Sequence, residues 1–340
     1  MKSIACLIVA TFAITLTSAR ATTWAVTGSI PLGGEGGWDY VTMDGPNQRL
    51  FVAHGNHVLV VDLKTRQVAA SFDSSGAHGV ALAPDFRRGF FTNGDSGQVT
   101  IFDLTKLTPV QSVKAGRHPD AICYEPVTKR VFAFNGVSHT ASVIDAATGN
   151  VAGEIPLPGK PEFAGADGRG FVYDNIEDKG LVVKIDAAKM AIVAQWQLPP
   201  GNEPSALAVD VERHRLFSGC GSKKLFVLNS DTGAIIATLP IGGGIDADAY
   251  DPTGQRVFAS CGDGTLTVIK QSSADSYAVE AVIPTEKGAR TMAFDSAAQT
   301  AYLPDAKFGP APAPTADHPH PRPSIVPGTL KLLVVQRAAN

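Results

Sequence analysis

Beyond residue 23 the chain alternates apolar and polar positions in short runs, and Gly, Asn, Asp or Pro interrupts nearly every run. A period of two marks strands with one face buried, and the interrupting residues supply the dihedrals of tight turns. RLFVAHG (49–55), GFFTNGDSG (89–97), RVFAFNG (130–136), FVYDN (171–175), RLFSGCG (215–221), RVFASCG (256–262) and AYLPD (301–305) read as equivalent strands, most of them opening at or beside an Arg. Each is followed by a second apolar run, such as VLVVDLKT, ASVIDAATG or LFVLNSDTG. That run ends on Asp62, Asp103, Asp145, Asp186 or Asn229, with Lys270 breaking the pattern. An Asp or Asn side chain there can accept from the backbone two residues on, which gives the recurrence a structural cause.

The unit repeats every 41 to 43 residues or so, a period that fits propeller blades rather than shorter helical repeats. The pattern predicts an all-β, seven-bladed β-propeller of four-stranded blades. Its seventh unit stops after a third strand near Val335, while GSIPLGG (28–34) matches the outer strands GEIPLPG (153–159) and ATLPIGG (237–243). The N-terminal strand is therefore expected to close the last blade, leaving no long exposed edge.

The repeat HPDAICYEPVTKRVFAFNGVSHTASVIDAATGNVAGEIPLPG (118–159) has a Pro opening, an Arg-aromatic strand, an Asn-Gly turn and an IDxxTG turn. In this order of motifs the chain resembles the YVTN-repeat β-propellers, more closely their YncE-like exported members. The resemblance implies an exported propeller and no particular reaction, because a fold does not carry a function with it.

Residues 1–21 read as a signal peptide: Lys2, an apolar run too short to span a bilayer, and Ala19-Arg20-Ala21 before cleavage. The propeller then occupies 22–340, periplasmic or secreted, without a membrane span and expected to be a monomer. Losing Lys2 and Arg20 takes the net charge from -3 to -5, which argues against nucleic acid as a partner. Cys123, Cys220 and Cys261 remain; Cys220 and Cys261 hold equivalent places in adjacent blades and are expected to be free thiols.

Candidate chemistry follows from the phase of the repeat. The residues after the opening position of each unit are Asp39, His78, Asp120, Glu162, Ser205, Asp246 and Arg290, all expected at the top mouth of the central channel. Ionisable groups confined there would be relieved by a polar ligand or a divalent cation, the carboxylates suiting hard ions and His78 suiting zinc or copper. The plainer alternative is a wet mouth in which the acids face water and pair with Arg290. His54 and His139 fall in turns on the same face, and a Pro-rich insertion at 307–329 is expected to lie over it as a flap carrying His318 and His320, further metal candidates.

On the opposite face Arg49, Arg88, Arg130, Arg169, Arg215 and Arg256 form a ring, each expected to pair within its own blade with Asp44, Asp85, Glu125, Asp167, Glu212 or Asp251. The chain contains no G-x-S-x-G, P-loop, H-E-x-x-H or haem-attachment motif. These observations favour a scaffold that binds a small molecule or an exported protein through the top face, using Asp39, His78, Asp120, Glu162, Asp246 and Arg290. The alternative is a metal-assisted hydrolase or lactonase on the same face. Redox partnership with an exported quinone or copper enzyme rests on the histidines alone.

Overall fold

The computed structural model describes residues 23–313 and 323–338. The signal segment, His318 and His320 lie outside the described residues. Seven antiparallel sheets of four strands form a ring, and short 3-10 turns at Pro84–Phe86 and Glu177–Lys179 are the helical elements among the described residues. The first strands of successive blades, such as Trp38–Asp44, Ala77–Ala83 and Pro119–Glu125, contact one another around the axis. The channel is thus walled by inner strands, and their N-terminal ends make its top mouth.

Packing between sheets supplies the core. In the third blade Phe132 and Val143 are fully buried against Val172 and Val183 of the fourth, and the same layering recurs around the ring. Each such side chain contributes about 1.5–3 kcal/mol by leaving water. The Asx turns form as expected: Oδ1 of Asp62 accepts from the amides of Lys64 and Thr65, and Asp103 does the same for Thr105 and Lys106. Lys270 cannot accept in this way, and there the hairpin runs on through Thr265–Ser273 and Ser276–Pro284.

Closure is as the pattern predicts. Trp24–Pro31 pairs antiparallel with Lys331–Arg337, completing the sheet whose inner strand is the short Ala293–Asp295. Cys123, Cys220 and Cys261 are free, and burial pushes the thiols of Cys220 and Cys261 up to about 12, so they stay protonated.

The arginine ring departs from expectation. Arg49 does meet Asp44 at 2.7 Å and Arg169 meets Asp167 at 3.3 Å. Most of the ring instead straps one blade to the next: Arg49 donates to the carbonyl of Leu104, Arg88 to that of Ala146, Arg130 to that of Ala187 and Arg215 to that of Ala274. Arg256 pairs with Glu280 rather than Asp251. The acids at the ends of the inner strands serve the backbone: Glu125 accepts from the amides of Val127 and Thr128, Asp251 from Thr253 and Gly254, and Asp295 from Ala297 and Ala298. In the fifth blade that place belongs to buried Asp210, not to exposed Glu212.

Candidate functional site

Six inner strands show a register shift just after their first residue, for example between Trp38 and Val41, Ala77 and Val80, and Pro119 and Ile122. Such a bulge re-aims the side chain it carries. Here the second residue of the strand is presented to the channel mouth instead of continuing the ladder. Asp39, Asp120, Glu162, Ser205 and Asp246 consequently line one cavity of about 810 Å³, joined by Arg290 from the segment before the seventh inner strand, so that six different blades contribute. His78 stands behind Asp39 and Asp120, hydrogen-bonded to Asp39 and in charge contact with Asp120.

Charge in the mouth falls into three groups. Arg290 Nε donates to Asp246 at 2.6 Å while its Nη2 reaches the Trp38 carbonyl at 3.2 Å. Lys160 lies 2.9 Å from Glu162 and 2.5 Å from Glu177. Nδ1 of His78 lies 2.5 Å from Asp39 and 3.5 Å from Asp120. Asp39, Asp120, Glu162, Glu177, Asp246 and Asp263 thus face the cavity against two permanent cations, Lys160 and Arg290.

Burial of this excess moves the ionisations. Burial, with the charge of Asp39, raises the Asp120 carboxyl well above the usual range. Burial raises Glu162 to about 7 although Lys160 opposes it, and raises Asp246 despite Arg290. For His78 burial works downward, but the hydrogen bond to Asp39 and the charge of Asp120 outweigh it and bring the imidazole to about 8. The hydroxyl of Tyr40, which donates to the Glu162 carbonyl, is held protonated by burial and by these acids.

The described ends of the insertion stand beside the mouth. Phe308 and Ile325 form an antiparallel bridge, Gly309 donates to Ser324 and Val326 to Lys307, making a narrow ribbon. Phe308 packs 6.0 Å from Trp38, and Phe308, Pro323 and Ile325 form an apolar side of the cavity. Of the other histidines singled out, His54 is buried with Nδ1 on the Gly37 carbonyl, and burial lowers its imidazole. His139 occupies a left-handed turn position and lies outside the cavity lining.

Reading one position per repeat missed Lys160, Glu177, Asp263 and His118. Lys160 and His118 immediately precede the Pro that opens their blades, and Glu177 and Asp263 sit in the turns between second and third strands. Both are places the repeat brings to the top face. His118 packs edge-on against His78 with ring centroids 4.8 Å apart.

No protein-family model matches the sequence, and no curated protein matches it in sequence. Solved structures do match in shape. The chain superposes on a structure of Kuenenia stuttgartiensis hydrazine synthase with a TM-score of 0.66 at 17% identity, covering 80% of this chain and 92% of that one. It superposes on the RRP9 WD40 repeats with a TM-score of 0.74 at 8% identity, covering 91% and 97%. A chain of a mitotic checkpoint complex gives 0.72 at 15% identity, covering 100% and 99%. At such identities what is shared is the fold: a seven-bladed β-propeller with WD40-like neighbours.

Proposed function

We propose that the chain is an exported binding protein of the YVTN-repeat kind, whose top channel mouth holds a small cationic ligand. The observation that carries this reading is the acidic excess in the mouth. Six carboxyl groups face one cavity of about 810 Å³ with two permanent cations among them, and burial lifts several of their ionisations. Carboxylates confined together cost free energy that a bound cation would recover. The volume falls within the range of small-molecule sites, and Trp38, Tyr40 and Phe308 offer aromatic surface beside the acids.

The experiment is a melting and calorimetric screen of the processed, untagged chain against polyamines, amino sugars and quaternary ammonium compounds, with neutral sugars as contrast. Cationic members are expected to raise the melting temperature, and Asp246→Asn, which leaves Arg290 uncompensated, is expected to weaken them. A panel in which only neutral or anionic compounds bind would overturn the reading. A hydrolase is the second reading, favoured by the mixed carboxylate and imidazole cluster at Asp39, His78 and Asp120. It requires turnover of an ester or lactone panel that stops on removal of metal.

A further inference from the structure

The cluster at the first three inner strands supports a more specific assignment, which rests on the reading of the mouth as a cation site. A ring nitrogen of His78 and one carboxylate oxygen each of Asp39 and Asp120 lie within 4.8 Å of one another, and Nδ1 is the nitrogen in contact with both acids. The Asp120 oxygen nearest His78, Oδ1, is buried and has no hydrogen-bond partner. Leaving a carboxylate oxygen in that condition costs free energy. The three side chains come from successive blades, each from the bulged second position of an inner strand, so rigid elements hold all three.

The imidazole is also held from behind. A Cβ at Gly94 would lie 2.6 Å from Nε2 of His78 and 3.0 Å from Nδ1 of His118. Only the absent side chain of Gly94 leaves room for the two rings, and His118 braces His78 edge-on at 4.8 Å. His78 is thereby fixed with Nδ1 toward the carboxylates.

We propose that Asp39, His78 and Asp120 bind one divalent first-row transition metal ion, leaving its cavity side open to water or a ligand. Two carboxylates and one imidazole are too few oxygens for calcium, which takes six to eight, whereas mixed oxygen and nitrogen donors suit zinc, cobalt or manganese. Metal–ligand bonds of about 2.0–2.2 Å require donor atoms roughly 3–3.4 Å apart. The His78–Asp39 contact at 2.5 Å must open slightly to reach that separation, while the His78–Asp120 contact at 3.5 Å is already close to it. The metal takes the place of the proton that His78 shares with Asp39 and of the proton that burial favours on Asp120, and these pass to solvent.

The test uses the processed, untagged chain, stripped with a chelator and titrated with Co2+, read by calorimetry and by the visible absorption of the bound ion. One Co2+ per chain is expected, with bands of oxygen and nitrogen ligation. His78→Ala and Asp120→Asn should each weaken uptake at least as much as loss of an outer-shell partner does, roughly 10- to 100-fold. Gly94→Ala, which keeps all three ligands, should weaken it and shift the bands. Circular dichroism and melting of each variant separate loss of the site from loss of the fold, and Asp39→Asn gives an independent ligand deletion. Absence of stoichiometric uptake by the parent chain, uptake unchanged in a folded His78→Ala, or uptake lost in His318→Ala/His320→Ala would overturn the assignment. The amine panel is run in parallel: amines that bind without Co2+ uptake overturn the metal site alone, and failure of both overturns the mouth reading as well.

Discussion

Glu162 and Asp305 show how burial converts ordinary carboxyls into groups that titrate near neutrality, with different consequences. Burial raises Glu162 to about 7 against the opposing pull of Lys160. As pH rises through that value the mouth gains a negative charge beside its ligand space. Affinity for a cationic amine should therefore increase, roughly 3- to 10-fold between about pH 6 and 8, and Glu162→Gln should flatten the dependence, which calorimetry at several pH values would show. Asp305, only 1% exposed, is likewise raised to about 7 by burial and by its neighbour Glu286. An unfolded Asp titrates near 3.9, so between about 4 and 7 the folded chain holds the proton that the unfolded chain releases. Stability must then fall as pH rises across that window, the opposite sign to a salt-bridged carboxylate. Asp305→Asn should reduce this slope, to which Glu162, Asp120 and Asp246 also contribute, and raise the melting temperature at pH 8; a stability in this window that does not respond to the substitution would refute the argument.

Within the blades, the second and third strands meet in a conserved geometry but not with the same residues. Leu50 faces Val61, Val131 faces Ile144, Val172 faces Ile185 and Val257 faces Ile269, whereas in the second blade Gly89 faces Phe102. The Phe102 ring occupies the space that a Cβ at residue 89 would need. Gly89→Ala alone should therefore lower stability by about 1–3 kcal/mol through overpacking, while Gly89→Leu with Phe102→Val should recover most of it, a coupling that a double-mutant cycle in urea measures. Strands and turns were legible in the sequence because their causes are local: alternation, Gly at left-handed positions such as Gly55 and Gly180, Asp at the Asx turns. The side-chain partner of each arginine was not local, Arg215 finding Asp275 and Arg256 finding Glu280, although the backbone register is. Asp44, Glu125, Asp210 and Asp251 each pair in register with the Arg that opens the next strand, and Asp295 holds the same place before Thr300. Counting back from the Arg by that constant interval selects Asp210 over Glu212, and in the second blade it lands on Ala83, not Asp85. The candidate site divides in the same way. The phase of the repeat located Asp39, Asp120, Glu162, Asp246 and Arg290 on one rim, but the grouping of charge depends on Lys160, which reaches Glu162 from outside the inner strand, and on Glu177, which shares Lys160 with it.

A ring of repeats has one weakness, the joint where its ends meet, and here the N-terminal strand completes the last sheet at that joint. Trp24–Pro31 covers the edge of Lys331–Arg337, and its Trp24 ring also packs 5.0 Å from Phe258 in the preceding blade. The strand thus completes the seventh sheet and fastens it to the sixth. Several other junctions are also fastened by arginines that donate to carbonyls of the next blade, whereas the closing strand depends on a partner distant in sequence, as do the contacts of Arg290 and Thr291 with the first blade. Ordering it entails closing the whole loop of chain, while the other blades form from neighbouring hairpins. Removing residues 22–31 exposes an unpaired strand edge and deletes the burial of Trp24 and Ile30, which are 7% and 2% exposed. The two side chains alone account for about 3–6 kcal/mol. The truncated chain should melt at clearly lower temperature, become susceptible to proteolysis first in the seventh blade, and self-associate through the open edge. A synthetic peptide spanning 22–34, added in trans, should restore protection and reverse the self-association. Cooperative melting of the truncated chain at the parent's temperature, with no response to the peptide, would mean that the ring is held by its channel-facing inner strands and that the N-terminal strand is an ornament to it.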